Sequence, residues 1–309
     1  ASSELILALK DSNIESLDLS WNSLGGLGSQ AIIDLLGTNT TLTCLRLSRA
    51  NVRFYDLSPR TYPDNTTLTE LILYGMCLTV PNVTRMVRVL RNLIGLRTLN
   101  LSHMRTYPDF IYCLSPLLKR NPYLETLDVG YRGVFMDTVL VSIHSRDTLK
   151  SLFDHNLCLR TLSLSGKNIN RCFNVIANHI SQLERLDLSK CNIDYDTFET
   201  LMRILKSNTS LHTLDLSDNE HVITEGIPLL AEIIKINTTL VTLDLRCRIL
   251  EKDQYLILEA SLRDNPSLIS IGLDPYLCFN YGLKQHLERN KYNTTMKFTS
   301  LITLLLRMC

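Results

Sequence analysis

One leucine pattern recurs along the whole 309-residue chain, and its period fixes what the chain can become. The clearest copy is Leu211-His212-Thr213-Leu214-Asp215-Leu216-Ser217-Asp218-Asn219, with leucine at the first, fourth and sixth places and asparagine at the ninth. Leu214 and Leu216 stand two apart, so in a strand they point to one side while Thr213, Asp215 and Ser217 point to the other. Copies begin at Ile14, Leu42, Leu68, Leu96, Leu124, Leu159, Leu183, Leu211, Leu240, Leu268 and Leu301, a period near 28 residues. That period leaves room after each strand for a loop and a helix of about three turns. A unit of this size cannot bury its leucines alone, so stability has to be shared between stacked neighbours.

The segments between strands carry helical periodicity. Tyr195–Ser207 sets Phe198, Leu201, Ile204 and Leu205 at helical spacing, and Ile227–Ile236 and Tyr255–Arg263 repeat the arrangement. Asp196 or Thr197 is placed to cap the first of these helices, and Thr224 the second. The fold class that follows is α/β: a right-handed, horseshoe-like solenoid of about 11 repeats, with parallel strands on the concave face and helices on the convex face. It is expected as a single domain over 1–309, with 1–13 as the end of a preceding or capping repeat and 301–309 as the last strand. Four places depart from regularity. Arg53–Asp64 holds two prolines and reads as a loop, Val134–Asn156 is long, the sixth repeat is short, and Lys291–Ser300 extends the tenth. The pentapeptide Arg-Thr-Tyr-Pro-Asp occurs at 60–64 and again at 105–109, in different phases of the repeat.

Composition removes several classes of function. With 32 basic and 31 acidic residues the net charge is +1, which implies no pull toward nucleic acid or an anionic membrane. Nine cysteines are scattered without paired spacing, which points to reduced core thiols in a cytosolic compartment, not a disulfide framework or a zinc site. Seven histidines form no metal-binding pair, and no nucleophile elbow is present, so neither a catalytic group, a metal nor a cofactor is expected. Gly25-Gly26-Leu27-Gly28 follows a strand but lacks the lysine of a phosphate loop, and reads as a loop-to-helix turn. The Asn-x-Ser/Thr triplets at Asn39, Asn65, Asn208, Asn237 and Asn293 mostly precede a strand, so turn chemistry accounts for them. Neither a secretory signal nor a membrane span is visible, and a cytoplasmic monomer is the expectation.

With Leu-Asp-Leu-Ser strands, intervening helices and Asn-Thr-Thr-Leu junctions, the chain resembles the ribonuclease-inhibitor-like class of leucine-rich repeats over essentially its full length. The resemblance implies the solenoid just described and a non-catalytic role in gripping a protein. It does not choose among members of that class, which include a GTPase activator, actin-regulating tropomodulins, ligand-sensing ends of larger immune receptors and effectors of intracellular bacteria. A short repeat protein without tails or further domains looks most like the last of these, acting in the cytoplasm of a host cell. At the ninth place only Asn22 and Asn219 keep asparagine, with Cys191 as the accepted alternative. Ala50, Met76, Met104, Arg132, Lys167, Arg248 and Tyr276 depart, so the ladder built by that asparagine is partial.

The candidate site lies where large side chains replace small polar ones on the open face of the strands and just after them. Those places hold Trp21, Arg46, Arg49, Ile72, Tyr74, His103, Tyr131, Lys190, Asp218, Arg246, Arg248 and Tyr276. Tryptophan, tyrosine and arginine each bury much area and carry a polar handle, which makes them frequent anchors of protein interfaces. A second feature of the face is an aspartate stripe, Asp18, Asp128, Asp187, Asp215 and Asp244, read as solvated and hydrogen-bonded to its surroundings and not as a cation site.

Overall fold

The computed structural model describes residues 2–54, 63–76, 80–104, 110–131, 143–246, 250–273 and 284–295. These fall into two compact units, 1–176 and 177–309. In the first, six three-residue strands succeed one another in chain order: β1 Ser16–Asp18, β2 Cys44–Arg46, β3 Glu70–Ile72, β4 Thr98–Asn100, β5 Thr126–Asp128 and β6 Thr161–Ser163. Each pairs in parallel with the next, and the middle leucines stay in register from Leu17 through Leu45, Leu71, Leu99 and Leu127 to Leu162. The second unit does the same with β7 Arg185–Asp187, β8 Thr213–Asp215, β9 Thr242–Asp244 and β10 Ser270–Gly272. Ten parallel strands alternating with helices make a leucine-based solenoid fold, as the period requires. The eleventh expected strand, at 301–309, lies outside the described residues, as does 105–109.

The strands show why leucine holds the fourth place. Leu45, Leu71, Leu99, Leu162, Leu214 and Leu243 are wholly buried, while their neighbours at the third and fifth places are half-buried or exposed. In the second unit Leu214 and Leu243 meet Leu205, Leu230 and Ile233 from the helices. One face of the sheet is therefore covered by helix side chains and the other is open.

The helices are α1 Ser2–Ala8, α2 Gly25–Leu36, α3 Val80–Leu90, α4 Ser115–Leu118, α5 Ile143–His155, α6 Phe173–Ala177, α7 Tyr195–Leu205, α8 Glu220–Ile236 and α9 Lys252–Leu262, with 284–295 also helical. α6 has only five residues, which is how the sixth repeat is short. α7 buries Phe198, Leu201, Met202 and Leu205, so Met202 takes the core place expected of Ile204. Its cap is Asp194, not Asp196 or Thr197: the Asp194 carboxylate accepts from the Thr197 backbone N–H at 2.9 Å. Asp194→Ala is expected to lower stability by about 1 kcal/mol, read as a small shift of the urea midpoint at unchanged slope.

α8 differs more from expectation. It runs 17 residues from Glu220, so Thr224 is inside it and bonds the carbonyls of Glu220 and His221 instead of capping. Gly226 and Pro228 both lie inside this helix, which starts at Glu220 and not at the expected Ile227. Gly226 is there for packing: a Cβ would lie 2.2 Å from Phe198 Cε1, so only glycine lets α8 sit against that ring.

Asparagines tie successive repeats together. Asn39, Asn65, Asn121, Asn156, Asn208, Asn237, Asn265 and Asn290 are all buried. Asn237 shows the bonding pattern: its Nδ2 donates to the Leu205 and Asn208 carbonyls of the preceding repeat, and its Oδ1 accepts from the Thr239 and Leu240 N–H groups. Asn265 does the same one repeat later, to Ile234 and Asn237 carbonyls and from Ser267 and Leu268. The four triplets of this set are thus turn asparagines, sunk in the fold, whereas Asn293 is exposed.

Candidate functional site on the open face

Beyond each strand the backbone continues as a second, looser ladder. The N–H at the eighth place donates to the seventh-place carbonyl of the next repeat: Trp21 to Ser48, Arg49 to Tyr74, Gly75 to Ser102, His103 to Gly130 and Tyr131 to Ser165. Lys190 to Ser217 and Asp218 to Arg246 continue the rule in the second unit. Most eighth-place residues are in the left-handed region, with φ of 62° at Trp21, 51° at Arg49, 73° at Gly75, 54° at His103, 70° at Gly166, 56° at Lys190 and 58° at Asp218. Large residues seldom hold that conformation, and here the inter-repeat hydrogen bonds impose it.

This geometry brings together five of the side chains picked from the sequence. The Arg49 guanidinium carbon lies 4.7 Å from the centre of the Trp21 ring and 5.8 Å from that of Tyr74. Tyr74 stands 4.8 Å from His103, and His103 stands 5.7 Å from Tyr131. Trp21, Arg49, Tyr74, His103 and Tyr131 therefore form one continuous ladder over the first five repeats. Trp21 is 71% exposed, the largest apolar surface in it. Tyr74 comes from the seventh place, where serine is usual, and Gly75 takes the eighth. A Cβ on Gly75 would lie 2.9 Å from Arg49 Cγ, so the glycine clears the bed on which Arg49 lies.

The other candidates are placed differently. Ile72, half-buried, and Arg46, exposed, sit side by side at the ends of β3 and β2, and Arg46 donates to the Glu70 carboxylate at 2.9 Å. The Arg46 side chain is 49% exposed and that of Glu70 32%, so solvent screens the pair and it contributes little to stability. In the second unit Arg246 folds back on Asp244 of its own repeat through Nε and Nη2. Lys190 and Asp218 occupy consecutive eighth places there. Arg248 and Tyr276 lie outside the described residues.

The aspartate stripe is a set of turn caps. Oδ1 of Asp18, Asp128, Asp187, Asp215 and Asp244 each accepts the backbone N–H two residues on, at 2.9–3.1 Å. Hydrogen bonds from the Ser20 side chain and backbone hold the Asp18 carboxyl below the usual carboxylate range. No group of metal-holding side chains occurs among the described residues. Burial pushes the Cys44 thiol up, which keeps it protonated at neutral pH and a poor nucleophile. No helix among the described residues is long and apolar enough to cross a membrane.

At the ninth place, among the described residues, Asn219 alone builds the bridging pattern, donating to the Leu188, Leu216 and Ser217 carbonyls and accepting from Cys191 and Ile193. Ala50, Met76 and Met104 are buried there as core, and Lys167 is buried with its ammonium 5.4 Å from the Phe110 ring centre.

A family model described as Leucine Rich repeat matches residues 10–32 and 207–230. These two segments are similar to leucine-rich repeats. The strands between and beyond the matched segments keep the same leucine register, so the fold is a leucine-rich repeat solenoid throughout the described residues. Among solved structures, the leucine-rich repeat-containing protein LegL7 from Legionella pneumophila is similar at a TM-score of 0.49 and 17% identity, over 92% of this chain and 93% of that one. The search of curated proteins found no match.

Proposed function

We propose that this leucine-rich repeat protein is a non-catalytic interaction module that grips another protein with the open face of its strands and the loops that follow them. The observation that carries the reading is the ladder of Trp21, Arg49, Tyr74, His103 and Tyr131, where aromatic and guanidinium surface is collected on one face, exposed at Trp21 and Arg49 and half-buried at the other three. Such side chains give interfaces most of their energy, because each buries a large rigid area while keeping a hydrogen-bonding tip. The N–H groups of Trp21, Arg49, His103 and Tyr131 are each bonded to the next repeat, so these residues are held in position before a partner arrives, which lowers the ordering entropy of binding. The triple substitution Trp21→Ala, Tyr74→Ala and Arg246→Ala touches no core residue. Compared by quantitative mass spectrometry, lysate proteins recovered on the native chain should fall at least about tenfold on the triple variant, as expected when anchors are removed. Equal recovery on both, with the variant folded by circular dichroism, would place the partner elsewhere.

A further inference from the structure

The ladder also carries information about what it binds. Four arginines stand among the candidate residues; Arg248 lies outside the described residues, and of the other three two are answered within the chain, Arg46 by Glu70 and Arg246 by Asp244. Arg49 takes part in none of the ion pairs among the described residues. Its contacts are the rings of Trp21 and Tyr74 on either side. A guanidinium lying against rings keeps its N–H edge for a planar acceptor, and a carboxylate fits that fork with two parallel hydrogen bonds. None of the five ladder residues is acidic, so the ladder itself carries one fixed positive charge flanked by aromatic surface, while the nearby Asp18 and Asp128 carboxylates are engaged by the turn N–H groups of Ser20 and Gly130. A single-stranded nucleic acid would need a basic groove following its phosphates, which one arginine does not supply. Rungs about 4.8 Å apart make a track of roughly 20 Å, the length of about six extended residues.

We propose that the ladder takes an extended acidic segment of the protein partner, with one Asp or Glu carboxylate on Arg49 and apolar side chains over Trp21 and Tyr74. This rests on the reading that the open face binds protein, and it specifies the chemistry of what is bound. The test is a positional-scanning hexapeptide library applied to the full chain. Selection should enrich Asp or Glu at one position with aromatic or aliphatic neighbours, and Arg49→Gln should erase the acidic preference while retaining the apolar one. Trp21 is the chain's single tryptophan, so its emission reports on this rung alone. The selected peptide should change that emission saturably, and its amide counterpart should bind about tenfold more weakly to the native chain, the loss expected for a charge-assisted fork. The two peptides should bind equally to the Arg49→Gln variant. Selection without an acidic position, the same acidic preference in Arg49→Gln, or a ten-nucleotide oligothymidylate moving Trp21 emission at lower concentration than the peptide would overturn the proposal. The protein-binding reading would survive the first two results if the triple variant still loses recovery from lysate, so the two failures are separable.

Discussion

Asn237→Ala should lower the stability of the protein by about 4 kcal/mol, because three buried backbone groups and one part-buried one lose their partner, and each unmet buried group costs about 1–3 kcal/mol before relaxation. The side chain ties the C-terminal end of α7 to the start of β9, through the Leu205 and Asn208 carbonyls on one side and the Thr239 and Leu240 N–H groups on the other. An apolar replacement of similar size would do no better, since the carbonyls and N–H groups remain. Asn293→Ala removes the same residue type from the same Asn-Thr-Thr triplet, yet Asn293 is exposed on the helix at 284–295, and the change should stay within about 0.5 kcal/mol. Urea unfolding of both variants against the native chain makes the comparison. Equal midpoints would show that the buried asparagines are not what joins the repeats.

The second large effect is expected at Gly166→Ala. Its φ is +70°, which an alanine holds at a penalty of roughly 1–2 kcal/mol. The new Cβ would also come within 1.9 Å of the Tyr131 carbonyl oxygen, so the backbone of the neighbouring repeat has to move. The combined loss is about 3 kcal/mol, in the range of overpacking on rigid surroundings. Gly25→Ala separates the two causes: φ is +62° there, but nothing lies within 4 Å of an added Cβ. It should show the conformational penalty alone, about 1 kcal/mol. Because Tyr131 is the last rung of the aromatic ladder, Gly166→Ala should weaken partner recovery as well as lower the unfolding midpoint, and Gly25→Ala should not. Identical midpoints for the two variants would refute the steric account.

Much of this architecture is legible in the residues. The leucine period places all ten described strands, since a pattern set by burial on one side of a strand survives every change on the other side. Helix existence is equally plain, but the extent of α8 is not. Gly226 is a poor helix former, and it stands inside α8 against the Phe198 ring on the preceding helix, a contact between repeats that no local window contains. The ninth-place asparagine, prominent in the pattern, matters at Asn219 and is replaced by core residues at Ala50, Met76 and Met104. A second series at the repeat junction does most of the bridging. Part of it shows as Asn-Thr-Thr-Leu, and part is concealed because Asn121 and Asn265 precede proline and share no triplet with the rest.

The residues of the ladder are legible one by one in the sequence, and their arrangement is not. Trp21, Arg49, His103 and Tyr131 share the eighth place, so their alignment follows from the repeat. Tyr74 stands one place earlier, and its stacking in the same ladder depends on Gly75 standing in the left-handed position with no side chain. Side-chain identity does not foretell that, because large residues with positive φ are uncommon and here owe it to hydrogen bonds made with the next repeat.

That positive φ has an evolutionary consequence. At the eighth place the chain tolerates tryptophan, arginine, histidine, lysine, aspartate and glycine on one and the same backbone geometry. Glycine is the least strained occupant, and each bulkier one gives up some conformational stability to display a functional group. The leucines and junction asparagines supply the reserve that makes this tolerable. Recognition can therefore drift by single substitutions along one row while the scaffold that presents it is inherited unchanged.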